Sequence, residues 1–227
     1  MNHKIIVNNE ELQKFLDFLP DEGEDEQYFM SLMARDKTKK LPPVKDGQIH
    51  GSKRFCRKTD ILSVLRSYEL PVGSYSRKGV LVTDEHLCPY ITINPRCNKK
   101  AFKLMALETV SFAINGKHKD PVGFAMSCLH RSIGKKNFFD FDFDFSLTDQ
   151  FENLIKSAFD SYTIIHTHGG FHLAVKCQHI GSHNTSQFKD LISKADQTGC
   201  ANMIPIPGCN QRGFTPCINS FTNSELR

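Results

Sequence analysis

The sequence predicts an α+β protein: an N-terminal α/β lobe packed on a C-terminal split-βαβ lobe, with a site in the cleft between them. Three observations carry this. Residues 137–145 read Asn-Phe-Phe-Asp-Phe-Asp-Phe-Asp-Phe, a strict alternation with the period of a strand. Apolar stripes of helical spacing stand far before and just after it, at Leu12, Phe15, Leu16 and Leu19 and at Phe151, Leu154, Ile155, Ala158 and Phe159. From residue 137 the elements run strand, helix, strand, Gly-Gly turn, strand, helix, which is one strand short of a split βαβ sheet.

Composition sets the outer bounds. At 227 residues the chain is long enough for one substantial core or two small lobes. A hydrophobic share of 39% with 24% charged residues fits a globular chain rather than a disordered one. The net charge of +4 permits a polyanionic partner without requiring one. Eight cysteines are scattered with no C-x-x-C pair, so a zinc ribbon is not expected, and the pattern suits reduced thiols inside a cell. Neither a signal peptide nor an apolar run of membrane-spanning length is legible, and an intracellular chain, cytoplasmic or nuclear, with no membrane partner is expected.

Taken in order, residues 4–7 read as a short strand. Asn8 with Glu11 fits a capping box for the first helix, which Pro20 ends. Asp21 to Glu26 is an acidic turn, and Gln27–Arg35 alternates as a strand. Asp36 to Ser52 lacks apolar periodicity and reads as a basic loop. Lys53, Arg54, Arg57 and Lys58 then form a basic cluster, with Thr59 placed to cap a helix bearing Ile61, Leu62, Leu65 and Tyr68. Pro71 to Lys78 is turn-rich, and Val80–Val82 and Tyr90–Ile93 read as strands. Arg96 follows the second of these, where sites often lie. Ala101 to Ile114 is a helix, and Pro121–Ile133 is ambiguous, with a helix from Gly123 as one reading. A break between Asp120 and Lys135 separates an N-terminal lobe, 1–120, from a C-terminal lobe, 121–227.

In the second lobe Phe139, Phe141, Phe143 and Phe145 fall on one face of the strand and Asp140, Asp142 and Asp144 on the other. Each buried ring contributes roughly 1.5–3 kcal/mol. Three carboxylates two residues apart repel one another, and a pair of divalent metal ions offsets that repulsion. The competing reading is a solvated edge strand whose charges block aggregation. Tyr162–Thr167 is a second strand, Gly169-Gly170 a tight turn, and Phe171–Lys176 a returning strand. Phe171, Leu173 and Val175 share one face, which leaves His172 on the other, free to point into a cleft. Asn184 with Gln187 is placed to cap a further helix. Met203 to Asn219, with five Pro or Gly residues, supplies short strands and loops. The strand–helix order is that of an RRM-like sheet.

Two stretches together resemble the archaeo-eukaryotic primase superfamily, the catalytic domains of primases and primase-polymerases. Phe139-Asp140-Phe141-Asp142 is similar to its first motif, Thr167 to His172 to its second, and Ala195-Asp196 to its third, ahead of a Pro-Gly stretch. The resemblance spans residues 85–220, and implies a minimal catalytic core of the kind found in viruses and mobile elements. It implies nucleotidyl transfer on a single-stranded DNA template by a two-metal mechanism with Mg²⁺ or Mn²⁺ and no zinc, with nucleoside triphosphates as substrates and a helicase as a partner. Asp140, Asp142 and Asp196 would hold metal, with Asp144 as a further acid; His172 would contact the triphosphate, helped by Thr167, Gly169 and Gly170. On charge alone, Arg96, Lys176 and Arg212 join the nucleotide site, and Lys53, Arg54, Arg57 and Lys58 the template. Two other functions compete. One is an RRM-like nucleic-acid-binding replication protein without catalysis. The other is a metal-dependent hydrolase or nuclease built on His166-Thr167-His168, an H-x-H.

Overall fold

The computed structural model describes residues 1–35, 48–115, 120–180 and 186–222. The protein is mixed α+β, with antiparallel sheets and helices on their faces. Asn8 does cap α1 (Asn9–Phe18): its side chain accepts from the backbone N–H groups of Glu10 and Glu11. Glu11 does not return the bond; its carboxylate accepts from the Ile218 N–H at 2.6 Å instead. The expected strand at 4–7 is absent, and Ile6 makes an isolated bridge to Cys209. The backbone there is satisfied by the Glu69 carboxylate, which accepts from Ile5 and Ile6.

β1 (Glu26–Ala34) matches its expected alternation, with Tyr28, Met30, Leu32 and Ala34 in the core under α1. It lies between β2 (Gln48–Cys56) and β5 (Leu87–Thr92). β2 corrects the expected loop over 36–52: its residues from Gln48 pair with β1, and Lys53 and Arg54 sit on this strand rather than before a helix. Residues 36–47 of that expected loop lie outside the described residues, as does Asn184, the expected later cap. Thr59 is not a cap either. It lies in a 3₁₀ turn (Lys58–Asp60) that runs straight into α2 (Ile61–Ser67), so no side-chain cap is made. A hairpin of β3 (Ser76–Arg77) and β4 (Val80–Leu81) leads on to β5. Then β6 (Arg96–Cys97) pairs with the start of β1, and α3 (Asn98–Asn115) packs on α4 (Pro121–Arg131). α4 resolves the ambiguous stretch: Asp120 caps it at Gly123, and Pro121 occupies a position where a missing N–H costs nothing.

The second sheet contains β7 (Phe138–Phe143), β8 (Ser161–His166), β9 (Phe171–Lys176), β10 (Gln197–Gly199) and β12 (Cys217–Thr222), in the order β10-β7-β9-β8-β12. β10 is the strand that the element order lacked. α5 (Asp149–Ala158), capped by Thr148, and α7 (Ser186–Lys194) cover one face. There Phe141, Phe143, Ile155, Leu173 and Val175 are buried. A short α6 (Cys177–Ile180) follows β9. The other face, with Phe138, Ile165, Ala174 and Ile218, joins the core of the first sheet. Within residues 121–227 the chain also returns to the first sheet, where β11 (Met203–Pro205) pairs with β5.

One side chain fixes how the two sheets meet. Asn94 is fully buried just beyond β5. Its amide donates to the carbonyls of Phe138 and Cys200, and its oxygen accepts from the N–H groups of Asn137 and Phe138. The start of β7 is thereby clamped to the first sheet.

Candidate functional site

Because β7 alternates, burying the Phe face against α5 and α7 forces Asp140 and Asp142 onto the face that looks toward the first sheet. β7 pairs with β9 so that Asp142 lies opposite His172 and Asp140 opposite Ala174. His172 therefore projects from the neighbouring strand onto the same face. Its Nδ1 lies 3.1 Å from Asp140 Oδ2 and its Nε2 3.5 Å from Asp142 Oδ1, so the ring spans both carboxylates. Asn202 Nδ2 donates to the same Asp140 Oδ2 at 2.9 Å. Asp140 is fully buried, and its Oδ1 has no hydrogen-bond partner.

The electrostatics follow from this packing. Burial pushes the Asp142 carboxyl above its ordinary pKa; His172 pulls it back, and Asp140, Asp144 and Asp196 push it further up. Burial alone would lower the His172 pKa, but Asp140, by charge and by hydrogen bond, together with Asp142 and Asp144, raises it overall. The imidazole lies between two acids that both favour its charged form.

Asp142 and His172 open into a cleft of about 360 Å³ between the sheets, with Asp140 buried behind them. Asp142, Asp144, Thr167, Gly169 and His172 line one wall, and Arg35, Tyr90, Gln211 and Arg212 the other. Acid faces base across it. The Arg35 guanidinium sits 5.2 Å from the centre of the Tyr90 ring. Arg212 has a φ of 58°, in the left-handed region, and its guanidinium lies 3.4 Å from His168 Nδ1. Gln211 Oε1 accepts from the His168 N–H, tying the two walls together. The 167–170 turn is closed by Thr167 N–H to Gly170 O and by Gly170 N–H to Thr167 Oγ1. A Cβ on Gly170 would lie 1.8 Å from the Phe143 carbonyl oxygen, so only glycine fits there.

The remaining expected site residues fall into two groups. Asp196 reaches the end of the acid row: its N–H donates to the Asp142 carbonyl and its carboxylate accepts from the Asp144 N–H. It caps the strand end instead of converging with Asp140 and Asp142. Asp190, the other acid nearby in sequence, pairs with Lys194 on α7. Arg96 does not line the cleft. It is fully buried, donates to the carbonyls of Asn94 and Ala201, and is lowered to about 10 by its burial. Lys176 shares a strand face with His172 but lies four residues on, roughly 13 Å away.

The expected basic cluster is also dispersed. Arg57 donates to the Gly23 and Glu24 carbonyls, Lys58 pairs with Asp21, and Arg54 donates to the Lys53 carbonyl. Two of the four thus hold down the acidic turn. His166 shares its strand face with Tyr162 and Ile164, which pack on the helix side. It therefore points away from His172, and the H-x-H pair does not assemble with the acids. Arg35, Asn202 and Gln211 were not legible as site residues. Each is a single polar residue at a strand end or in a loop, and only the pairing of the two sheets brings it to the acids or their cleft.

Among the described residues, no three His, Cys, Asp or Glu groups stand ready as a metal cage. The donor chemistry still suits a hard cation: two carboxylates, one with an unpartnered buried oxygen. Mg²⁺ is typically held by one or two carboxylates, with waters and substrate phosphates completing its shell. No helix among the described residues is long and apolar enough to cross a membrane. No protein-family model, curated protein or solved structure matches the chain.

Proposed function

We propose that the protein is a nucleotidyltransferase, the catalytic domain of a primase or primase-polymerase. The observation that carries this reading is the Asp140–His172–Asp142 group on one sheet face, opposite Arg35 and Arg212 across a cleft. The sheet order supports it, because β10-β7-β9-β8 is the arrangement of a split-βαβ, RRM-like lobe. So do the positions of the three motifs on β7, on the β8–β9 hairpin and just before β10.

Asp140 and Asp142 would hold the divalent cations, Mg²⁺ or Mn²⁺, with Asp144 and Asp196 at the rim. The metals would supply Lewis-acid stabilisation of the attacking and leaving oxygens. The chain's own groups do the rest. Arg35 and Arg212 neutralise the phosphates of a nucleoside triphosphate. The Thr167–Gly170 turn and His172 orient them, and Tyr90 offers an aromatic wall. Asn202 keeps Asp140 Oδ2 engaged and leaves the unpartnered Oδ1 as the oxygen that would bind. A single-stranded DNA template is the partner this chemistry needs, with a helicase to supply it.

The test is primer extension and de novo synthesis with Mg²⁺ or Mn²⁺, comparing the wild type with a double variant, Asp140→Ala with Asp142→Ala. Metal-dependent incorporation lost in the variant supports the reading, and no incorporation by the wild type with either metal overturns it. The engagement of Asp196 with Asp144 N–H favours a second reading, a non-catalytic nucleic-acid-binding replication protein; it expects single-strand binding without incorporation.

A further inference from the structure

The lysines set aside above gather at the opposite end of the same sheet face. Lys58, Lys135, Lys136 and Lys176 line a pocket of about 540 Å³ beneath the end of α1. Pairing of Phe138 with Lys176 brings the start of β7 and the end of β9 together, which is why residues so distant in sequence meet. Two acids stand nearby, and both are engaged. Asp21 pairs with Lys58 at 3.0 Å, and Asp17 accepts from Gln13 at 2.8 Å. Among the described residues, Lys135, Lys136 and Lys176 have no carboxylate within ion-pair distance of their ammonium groups. Four lysines against two carboxylates leave the concavity net positive, a charge that a bound anion would offset.

The pocket continues into a second groove of about 330 Å³ that shares Asp17, Phe18, Phe138 and Lys176 with it. The groove runs along β8 and β12, past Thr163, Ser220 and Phe221. Phe18 is only partly buried there, whereas the Phe221 ring turns to the helix side and stacks on Tyr162. Cations at one end, then hydroxyls and the part-exposed Phe18 ring along a trough, match the chemistry of single-strand binding, in which a basic groove tracks phosphates and aromatic side chains stack bases. An acidic peptide would use the lysines but leave the ring-and-hydroxyl trough unexplained.

We propose that this groove binds the backbone of single-stranded nucleic acid, at a site separate from the acid cleft. The choice of nucleic acid over another polyanion rests on the function proposed above. The test is fluorescence anisotropy with a 5′-labelled oligo(dT) of about 12 nucleotides, within the site sizes usual for such grooves. Wild type is compared, across a salt series, with a Lys135→Gln, Lys136→Gln, Lys176→Gln triple variant. Loss of three phosphate contacts should lower the slope of log affinity against log salt by about 2, since each single-strand contact contributes about 0.7. Phe18→Leu should weaken binding by roughly 5- to 100-fold by loss of stacking, with the salt slope unchanged. If the triple variant melts early, single Lys136→Gln and Lys176→Gln variants should each lower the slope by about 0.7.

Unchanged affinity and slope overturn the proposal, and so does equal competition by poly-glutamate, which would make the groove a general acidic-polymer site. The two readings fail separately. Incorporation in primer extension with an unchanged salt slope removes the groove and leaves the catalytic assignment. Slope loss in a chain that incorporates nothing removes the catalysis and leaves the groove.

Discussion

Gly170 is where fold and site depend on one atom. A Cβ added there would stand 1.8 Å from the Phe143 carbonyl oxygen and 2.9 Å from the Phe145 N. Ordinary contact begins near 3.4 Å, so the turn or the end of β7 would have to move by about 1.5 Å in Gly170→Ala. Both elements carry site groups: Thr167 and Gly169 on the turn, Asp142 and Asp144 on and just past the strand. Overpacking of this kind costs about 1–3 kcal/mol, which for a chain of this size lowers Tm by roughly 2–12 °C. A shift of about 1 Å in positioning groups costs on the order of 10²-fold in rate. Differential scanning fluorimetry and primer extension, run on the same Gly170→Ala sample, read the two effects. Gly23→Ala is the control, since its Cβ would meet only the Glu26 side chain at 3.4 Å. A Gly170→Ala protein with wild-type Tm and wild-type incorporation would refute the steric reasoning and the placement of the turn.

Asn94→Ala removes four hydrogen bonds from a fully buried group, and at about 1 kcal/mol net each it should destabilise the protein by roughly 4 kcal/mol, read by urea unfolding. Asp140→Asn should abolish a Mn²⁺-dependent rise in Tm, which for wild type at 100 times Kd corresponds to about 2.7 kcal/mol; an equal rise in the variant would remove Asp140 from the cation site. Asn202→Ala should leave the metal-free Tm within about 2–4 °C of wild type, the shift expected of one lost hydrogen bond, yet weaken Mn²⁺ binding in calorimetry, because Asp140 Oδ2 loses the donor that orients it. Burial, then Arg96 and Lys53, lowers the His130 pKa below its ordinary value. The unfolded chain therefore binds the proton more readily, so stability present above the ordinary histidine pKa is lost as pH falls through it toward the folded value. His130→Phe, which keeps the ring packed on Phe29, should flatten Tm between pH 7 and pH 5.

How much of this was legible depended on the range of the interactions involved. The Phe–Asp alternation fixes a strand and its two faces because side-chain direction is a local property. The Gly169-Gly170 turn fixes His172 relative to β8 for the same reason, whereas its place opposite Asp142 comes from the long-range pairing of β9 with β7. What was not legible came from long-range pairing. β2 carries Lys53 and Arg54 without a clear apolar alternation, and β1 recruits it because β1 is buried on both sides and needs a partner on each edge. Arg96 had the right charge beside a strand end, but its guanidinium is consumed by the carbonyls of Asn94 and of Ala201 on the loop after β10. Lys176 had the right face of the right strand and the wrong end of it. Charge and period place a residue on an element; only the sheet register says which neighbours it meets.

The burial of Asp140 argues for function over folding. A fully buried carboxylate is costly, and it is tolerated when paired and hydrogen-bonded on all sides. Here the pairing is incomplete: His172 and Asn202 both serve Oδ2, while Oδ1 has no partner. Were the Asp140–His172 pair only structural, well-packed apolar residues would serve β7 and β9 as well or better. The Phe face of the same strand shows that this chain can fill such positions with apolar side chains. An acid held buried and half-satisfied is what the proposed cation site requires. The same logic ranks the acids. Asp140 and Asp142 share the imidazole and lie on the paired strand. Asp144 lies just beyond the strand and is exposed, and Asp196 is bonded to the Asp144 backbone. If Asp196 is to join a cation, it must release that N–H, so Asp196→Ala should change metal affinity less than Asp140→Ala does.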